Sequence, residues 1–240
     1  NKLSDSQLDK IIYLVVPKLD YIIVTQSEAL HHKYETVTRG YFRKQIKLKY
    51  FDIIISTDDE NIINLSKQYK GINVPFVRPK ELSSDKATSL DVVLHALNYY
   101  SSNDKNFDYV MLLQPTSPLR KSKDIDYSIE ELSEEVKSVV SVCETEHSPL
   151  WSNILPDNKS MKNFLSKEIQ NLRSQDLPKY YRLNGAIYIS EVEYLVKEKG
   201  FLGDQTKAYT MPIERSIDID TKIDLELCKI LLNENNKNNS

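Results

Sequence analysis

The chain has 240 residues with 32 basic and 35 acidic side chains, and its net charge of −3 excludes a general attraction to nucleic acid or to anionic membrane. With 40% apolar residues and only five glycines, the composition excludes a disordered or collagen-like chain. The sequence has no apolar run of the ~18 residues that a membrane span needs, and it opens on polar residues, so we expect neither a membrane span nor a secretion signal. Cys143 and Cys228 lie far apart in apolar surroundings, as small buried side chains do in a reducing compartment, and we therefore expect a cytoplasmic protein.

Short β-branched segments alternate with helical segments along most of the chain. This alternation predicts βαβ units and an α/β fold with a mainly parallel sheet flanked by helices. The continuously apolar run at 109–113 supports it, because a strand buried on both faces is apolar throughout. The predicted strands are Ile11–Val16, Asp52–Ser56, Val74–Val77, Asp108–Leu113, Ser138–Cys143 and Ala186–Ile189, and the predicted helices are Asn61–Tyr69, Ala87–Tyr100, Ser122–Leu132 and Thr221–Leu232.

One region interrupts the alternation. Residues 146–181 are polar and mixed in pattern, and they contain the only tryptophan, Trp151. We expect them to leave the sheet as an arm or dimer contact within a single domain, 1–240. Ligands of such sheets bind beyond the carboxyl ends of the strands, so the loops that follow strands are the places to search for chemistry.

The loops after the second and third predicted strands each allow two interpretations. Ser56–Glu60 resembles a helix N-cap with acidic residues at the positive helix end, and alternatively the edge of a nucleotide site. Arg78 stands at a strand end, where a guanidinium can bind a phosphate or a base carbonyl. Ser83 or Asp85 would cap the next helix, with Ser89 on its first turns.

The loop at Gln114 indicates a binding site, whereas Asn184-Gly185 indicates a turn. A buried strand ends abruptly at Gln114, and two prolines then prevent further pairing and fix the loop. A glutamine on a rigid loop can donate and accept at once, which suits a sugar hydroxyl or a base edge. Asn184-Gly185 before an apolar run is typical of a hairpin turn that enters a strand.

Two aspartates near the end of the chain share one face. Strand alternation in Ser216–Thr221 places Asp218 and Asp220 on one side and the isoleucines on the other. Two carboxylates at a strand end can hold Mg²⁺, which keeps most of its waters and bridges to substrate phosphates. The alternative is that Asp220 caps the helix from Thr221 while Asp218 is solvated. The spacing alone favours neither.

Taken together, these loops resemble the acylneuraminate cytidylyltransferase family, the CMP-nonulosonate (CMP-sialic acid) synthetases. The resemblance covers about residues 50–232, and several matches in the family's order are far more specific than any single one. The matching segments are FDIIISTDDE at 51–60, RPKELSSDKATSLDV at 78–92, LLQPTSPLR at 112–120, SVVSVCETEHSPLW at 138–151, QDLP at 175–178, RLNGAIYIS at 182–190 and SIDIDTKIDLEL at 216–227.

The resemblance implies a nucleotidyltransferase. CMP would pass from CTP to the anomeric hydroxyl of a nonulosonic acid, a nine-carbon 2-keto acid sugar, with release of pyrophosphate. It also implies a homodimer in which the arm reaches toward the other subunit's site. The implied roles are Asp218 and Asp220 as Mg²⁺ ligands and catalytic carboxylates, Arg78 and Ser89 on the cytidine side, Gln114 between nucleotide and sugar, and Arg173, Asn184 and Tyr188 on the sugar.

The sequence departs from the family at its N-terminus. The family's phosphate-binding motif, P-A-R-x-G-S-K, would align with Pro17 and the residues after it, but only the proline is present and no glycine precedes Gly40. Two other functions therefore stay open. The first is a non-catalytic relative that binds nucleotide or sugar only, and the second is a glycosyltransferase with an Asp-x-Asp metal site, although that pair normally follows a mid-chain strand.

Overall fold

The structure is a computed structural model that describes residues 11–15, 51–68, 72–84 and 86–237. A seven-stranded sheet lies at its centre, with the strand order β3-β2-β1-β4-β6-β5-β7. The strands are β1 (Ile11–Val15), β2 (Phe51–Ile55), β3 (Ile72–Asn73), β4 (Tyr109–Leu113), β5 (Ser138–Glu144), β6 (Tyr181–Glu191) and β7 (Thr206–Thr210), and the helices are α1 (Glu60–Ser66), α2 (Ser89–Ser101), α3 (Ser122–Glu130), α4 (Val192–Glu198) and α5 (Lys222–Lys237).

The sheet is mainly parallel, as the sequence predicts. Strands β1 to β4 pair in parallel with one another, and β5 pairs in parallel with β7. Of the seven strands in the described residues, β6 alone runs the other way, antiparallel to both β4 and β5. The carboxyl ends of β4 and β5 and the amino end of β6 therefore meet at one edge of the sheet.

Helices cover both faces of the sheet, and this explains the continuously apolar strand β4. Met111 and Leu113 point into one apolar cluster, which also contains Ile125 of α3, while Val110 and Leu112 point into a second, which contains Val93 of α2. All five residues of β4 are buried. Among the described residues, no helix has both the length and the apolar character needed to cross a membrane.

Three local predictions are wrong: the first two involve pairing with distant strands, and the third is decided by near neighbours. The hairpin predicted at Asn184-Gly185 is instead the interior of the 11-residue strand β6. The strand predicted at Val74–Val77 is displaced to β3, and only Val77 forms a bridge, to Thr57.

The third concerns the start of α2, which Thr88 caps in a reciprocal capping box with Asp91. Ser83 cannot take that role, since its hydroxyl donates to the Pro79 carbonyl within a 3₁₀ turn, and Asp85 lies outside the described residues. By contrast, the cap predicted within Ser56–Glu60 is confirmed, because the Asp59 carboxylate accepts from two amides at the start of α1.

The predicted arm lies between β5 and β6. Residues 145–180, all of them described, contain no α-helix or strand and only two 3₁₀ turns, Pro149–Trp151 and Ser174–Asp176. Most of these residues are exposed. The segment aligned with the family's phosphate-binding motif, with Pro17 and Gly40, lies outside the described residues.

Candidate active site

Three segments meet at the edge of the sheet where β4 ends. The loop after β4 packs against both the start of β6 and the segment that precedes α5. The Ile219 amide donates to the Thr116 carbonyl at 2.8 Å, and the Ser117 hydroxyl donates to the Asn184 carbonyl at 3.1 Å. The loop after β4 is therefore joined to two segments that lie more than 60 residues further along the chain, and the three form one polar surface.

The point of closest approach is Gly185, whose φ of +72° favours glycine. A Cβ atom built there would lie 2.6 Å from Gln114 Oε1, 3.0 Å from Ser117 Oγ and 3.3 Å from Asp218 Oδ2. Three oxygen atoms, two from the loop after β4 and one from the segment before α5, thus converge over one Cα that carries no side chain. Gln114 and Asp218, predicted from separate loops, are brought together here.

The positive φ of Gly185 lies within a bulge of β6. Val140 pairs with Tyr188 while Val142 pairs with Leu183, so four residues of β6 stand opposite Ser141 alone. The Ser141 hydroxyl fills the gap, because it donates to Asn184 Oδ1 at 2.6 Å and accepts from the Ile187 amide at 2.8 Å. The bulge turns Gly185 toward the Gln114 loop.

Asn184 lies beneath this surface, with 1% of its area exposed. Its Oδ1 also accepts from the Ala186 amide at 3.2 Å, and its Nδ2 donates to Ser216 Oγ at 2.9 Å and contacts Met211 Sδ at 3.3 Å. Protein groups therefore engage both ends of its amide. The structure places this predicted sugar ligand in a buried network that joins β5, β6 and the segment of Asp218.

The predicted strand at residues 216–221 is wrong, because the structure has no strand there, but Asp218 faces away from the two isoleucines as predicted. Ile217 and Ile219 pack into an apolar cluster with Leu119 and Cys228, so Asp218 faces the other way. Its Oδ1 is buried and has no hydrogen-bond partner. A buried carboxylate oxygen without a partner is costly unless a cation or a donor group binds it.

Asp220 is exposed, and within the described residues its carboxylate forms no hydrogen bond. The alternative that Asp220 caps α5 is wrong, because Thr221 takes that position. The Asp224 carboxylate accepts from the Thr221 amide at 2.7 Å, and the Thr221 hydroxyl accepts from the Asp224 amide at 3.4 Å. The hydrogen bonds from Thr221 lower the pKa of Asp224.

The donor set fits Mg²⁺. Within the described part of the chain there is no group of three or more His, Cys, Asp and Glu side chains that would enclose a metal. Mg²⁺ at a nucleotide site needs only one or two carboxylates, because water and substrate phosphates complete its octahedron. The buried Asp218 oxygen and the exposed Asp220 carboxylate match that requirement.

On the predicted nucleotide side, Arg78 is 7% exposed and its position is fixed by two contacts. Its Nη2 lies 3.1 Å from Asp58 Oδ1, and its Nε donates to Ser83 Oγ at 3.0 Å. Burial alone would raise the pKa of Asp58, but the hydrogen bonds from Arg78 and Ser83 lower it, so the ion pair is maintained. Ser89 is the first residue of α2 and half-buried.

The remaining predicted sugar residues lie apart from one another. Tyr188 is half-buried with its ring centroid 5.5 Å from that of Phe201, and burial together with the charge of Asp218 raises its pKa, so the phenol stays protonated. Arg173 is in the arm, exposed, and pairs with Asp176 at 2.8 Å. Within one chain, the structure therefore does not bring Arg173 to the convergence point by any described contact.

Gly185 and Ser117 belong to the site, although the sequence does not single them out. Asn184-Gly185 is typical of a turn, but a glycine flanked by strand residues also indicates a bulge or a close approach of another group. Ser117 lies between two prolines in a loop that was already a candidate, but no local pattern separates its hydroxyl from a simple turn-forming side chain.

Comparison with known proteins identifies the family of the chain. A family profile described as cytidylyltransferase matches residues 32–237. The chain is 36% identical over 191 residues to a CMP-N,N'-diacetyllegionaminic acid synthase of Legionella pneumophila, covering 77% of this chain and 79% of that protein. It is 32% identical over 187 residues to a pseudaminic acid cytidylyltransferase of Campylobacter jejuni, covering 78% and 80%. It is 39% identical over 174 residues to an N-acylneuraminate cytidylyltransferase of Streptococcus agalactiae, covering 72% of this chain and 40% of that longer protein.

Solved structures share the fold at low identity. A CMP:2-keto-3-deoxy-manno-octonic acid synthetase complexed with CTP aligns with a TM-score of 0.59 and 12% identity, covering 94% of this chain and 99% of that chain. A 4-diphosphocytidyl-2C-methyl-D-erythritol synthase from Anaerococcus prevotii aligns with a TM-score of 0.58 and 14% identity, covering 96% and 100%. These two matches show the fold alone. The family profile and the curated relatives confirm the resemblance stated from the motifs: the chain belongs to the cytidylyltransferase family.

Proposed function

We propose that this protein transfers CMP from CTP to the anomeric hydroxyl of a nonulosonic acid and releases pyrophosphate. The observation that carries the proposal is the convergence of Gln114, Ser117 and Asp218 oxygens over Gly185, at the edge of the sheet where α/β proteins bind ligands. The curated relatives support it, since their names describe cytidylyl transfer to legionaminic, pseudaminic and N-acylneuraminic acids. These names do not support the alternative of a non-catalytic relative.

The reaction is an in-line displacement at phosphorus. The anomeric oxygen forms a bond to the α-phosphorus of CTP, the bond from that phosphorus to the bridging oxygen breaks, and pyrophosphate leaves with the electron pair. The hydroxyl proton passes to a carboxylate of Asp218 or Asp220, directly or through a water. Positioning and charge neutralisation supply most of the acceleration in such a reaction.

Asp218 and Asp220 would hold Mg²⁺ in this proposal. When bound, the ion neutralises phosphate charge and orients the α-phosphate. Asp218 is suited to this role because its orphaned Oδ1 gains a partner when the cation binds. Asp220 is exposed, stands two positions along the chain and would add the second charge.

The remaining residues orient the two substrates. Arg78 and Ser89 serve the cytidine side, where the pairing of Arg78 with Asp58 presets the guanidinium. Gln114 lies between nucleotide and sugar, and the protonated Tyr188 can donate to a sugar oxygen. Asn184 stays assigned to the sugar side, which it supports from below through its contacts with Ser141 and Ser216.

We also propose that the arm packs against a second copy of the chain. Within residues 145–180 several apolar side chains are exposed, and a second subunit would cover them. A homodimer would also bring Arg173 of the arm within reach of a sugar acid. The exposed side chains are Ile154 (89% exposed), Met161 (62%), Leu155 (51%) and Leu172 (39%).

Two measurements test these proposals. The protein is incubated with CTP, Mg²⁺ and, separately, legionaminic, pseudaminic and N-acetylneuraminic acids, and mass spectrometry then searches for the CMP-sugar. We expect one sugar acid to give most product, whereas CTP consumption without any CMP-sugar would contradict the proposal. Light scattering at micromolar concentration should give a dimer, and a monomer would contradict the role of the arm.

A further inference from the structure

Arg120 binds three main-chain carbonyl groups with one nitrogen atom. Its Nη1 donates to the carbonyl oxygens of Gln114 at 2.9 Å, Ser117 at 2.9 Å and Ala186 at 3.1 Å. The first two carbonyls belong to the loop after β4, and the third belongs to the bulge of β6. One side chain thus joins the loop after β4 to the bulge of β6, and we call these two segments the walls of the site.

A guanidinium suits this position physically. Carbonyl oxygens that point at one spot repel one another, and each needs a hydrogen-bond donor when water is partly excluded. Arg120 is half-buried, and a planar, weakly hydrated guanidinium tolerates that position better than a compact ammonium group does. The loop after β4 therefore folds around the Arg120 guanidinium, which binds two of its carbonyl groups.

The bonded carbonyls lie next to the atoms that define the site. The Gln114 carbonyl belongs to the residue whose Oε1 approaches Gly185, and Ala186 is the residue after Gly185. The separation of the loop from the bulge therefore depends on the Arg120 contacts. The Ser117 hydroxyl adds a bond of its own to the Asn184 carbonyl, on the other side of Gly185.

We propose that Arg120 is a positioning residue for the transfer reaction, which sets the distance between Gln114 and Gly185 without touching substrate. This inference rests on the proposed function, since Gln114 is taken to orient the substrates. A misplacement of about 1 Å at a reacting centre can cost about 10²-fold in rate. Small movements of the loop would therefore appear in the transfer step.

The test uses Arg120→Met, which removes the donors at similar length, and Arg120→Lys, which keeps the charge without the planar fork. The matched control is Lys137→Met. Lys137 pairs with Glu191 at 2.7 Å, is about as buried, and lies at the opposite edge of the sheet, at the start of β5. All variants are compared by steady-state kinetics with each substrate varied in turn and by amide hydrogen exchange.

In Arg120→Met, we expect kcat/KM for the sugar acid to fall about tenfold or more while the KM for CTP changes less than about threefold. Arg120→Lys should lie between this variant and the wild type. Amide exchange should quicken in residues 114–120 and 184–187 of Arg120→Met. In the control Lys137→Met, amide exchange in these two segments should not change, although the protein should unfold at a lower temperature because the ion pair with Glu191 is lost.

Two results would overturn the inference. The first is unchanged exchange in both segments of Arg120→Met, and the second is a kinetic profile of Arg120→Met that matches that of Lys137→Met. Exchange needs no substrate, so it decides whether Arg120 holds the two walls even if the wild-type protein uses none of the sugar acids. That last outcome would contradict the proposed function instead.

Discussion

The substitution Gly185→Ala tests whether activity depends on the close approach of the Gln114, Ser117 and Asp218 oxygens to Gly185. The added Cβ would stand 2.6 Å from Gln114 Oε1, closer than ordinary van der Waals contact, and 3.3 Å from Asp218 Oδ2. Since Gln114 is a flexible side chain and half-buried, it can move aside, but it then leaves its position in the site. The substitution therefore displaces a predicted substrate contact and also crowds Asp218 Oδ2, while it removes no side chain of the site.

The expected magnitudes follow from the geometry. An alanine at a φ of +72° costs about 1–3 kcal/mol in backbone strain. For a domain of this size, each kcal/mol lowers Tm by about 2–4 °C, so a loss of about 2 kcal/mol lowers Tm by about 4–8 °C. Displacement of Gln114 should reduce kcat/KM by about 10²-fold, well beyond the effect of partial unfolding at assay temperature.

Gly200→Ala is the matched control. A Cβ at Gly200 meets no atom within 4 Å, and its backbone is not in the left-handed region. This variant should keep its activity and change stability by less than about 0.5 kcal/mol. Thermal unfolding and pyrophosphate release, measured on both variants, test the reasoning. It would be refuted by a Gly185→Ala protein with the turnover and Tm of the wild type.

Three further predictions concern individual side chains. Asp220→Asn should lower kcat by about 10²–10³-fold rather than raise KM, because it removes charge that stabilises the transition state, and an unchanged, Mg²⁺-dependent turnover would contradict this. Gln114→Ala should weaken sugar use more than CTP binding, and equal losses of both in calorimetry would argue against that division. Cys143 and Cys228 are buried, and burial raises the pKa of the Cys228 thiol to about 12, so neither should react with iodoacetamide near about pH 8 until the protein unfolds. Labelling of the native protein at either thiol would count against the described core.

The features that the sequence predicts correctly are those with local causes. The continuous apolar run of β4 follows from burial on both faces, and the orientation of Asp218 follows from the packing of Ile217 and Ile219 into an apolar cluster. The interruption between β5 and β6 is recognisable because residues 146–181 lack any periodic pattern, while their role as an arm stays a prediction. Each of these properties is set by residues within a few positions of one another.

The features that the sequence does not predict depend on distant partners. Asn-Gly is compatible with a hairpin turn and equally with a bulge at positive φ, and only the contact with Ser141, 43 positions away, makes it a bulge. Strand β7 was not predicted, because it lies at the edge of the sheet and its residues are half-buried or exposed. The bond from Arg120 to the Ala186 carbonyl spans 66 positions, so no local motif reveals it.

The central claim is that CMP transfer occurs where Gln114 and Asp218 converge over Gly185. The most direct measurement is the initial rate of pyrophosphate release from CTP, with Mg²⁺ and a saturating nonulosonic acid, for the wild type and for Asp218→Asn. We expect release that requires CTP, metal and sugar acid together, and a loss of about 10²-fold or more in the variant. No release from the wild type with any sugar acid, or equal rates in the two proteins, would contradict it.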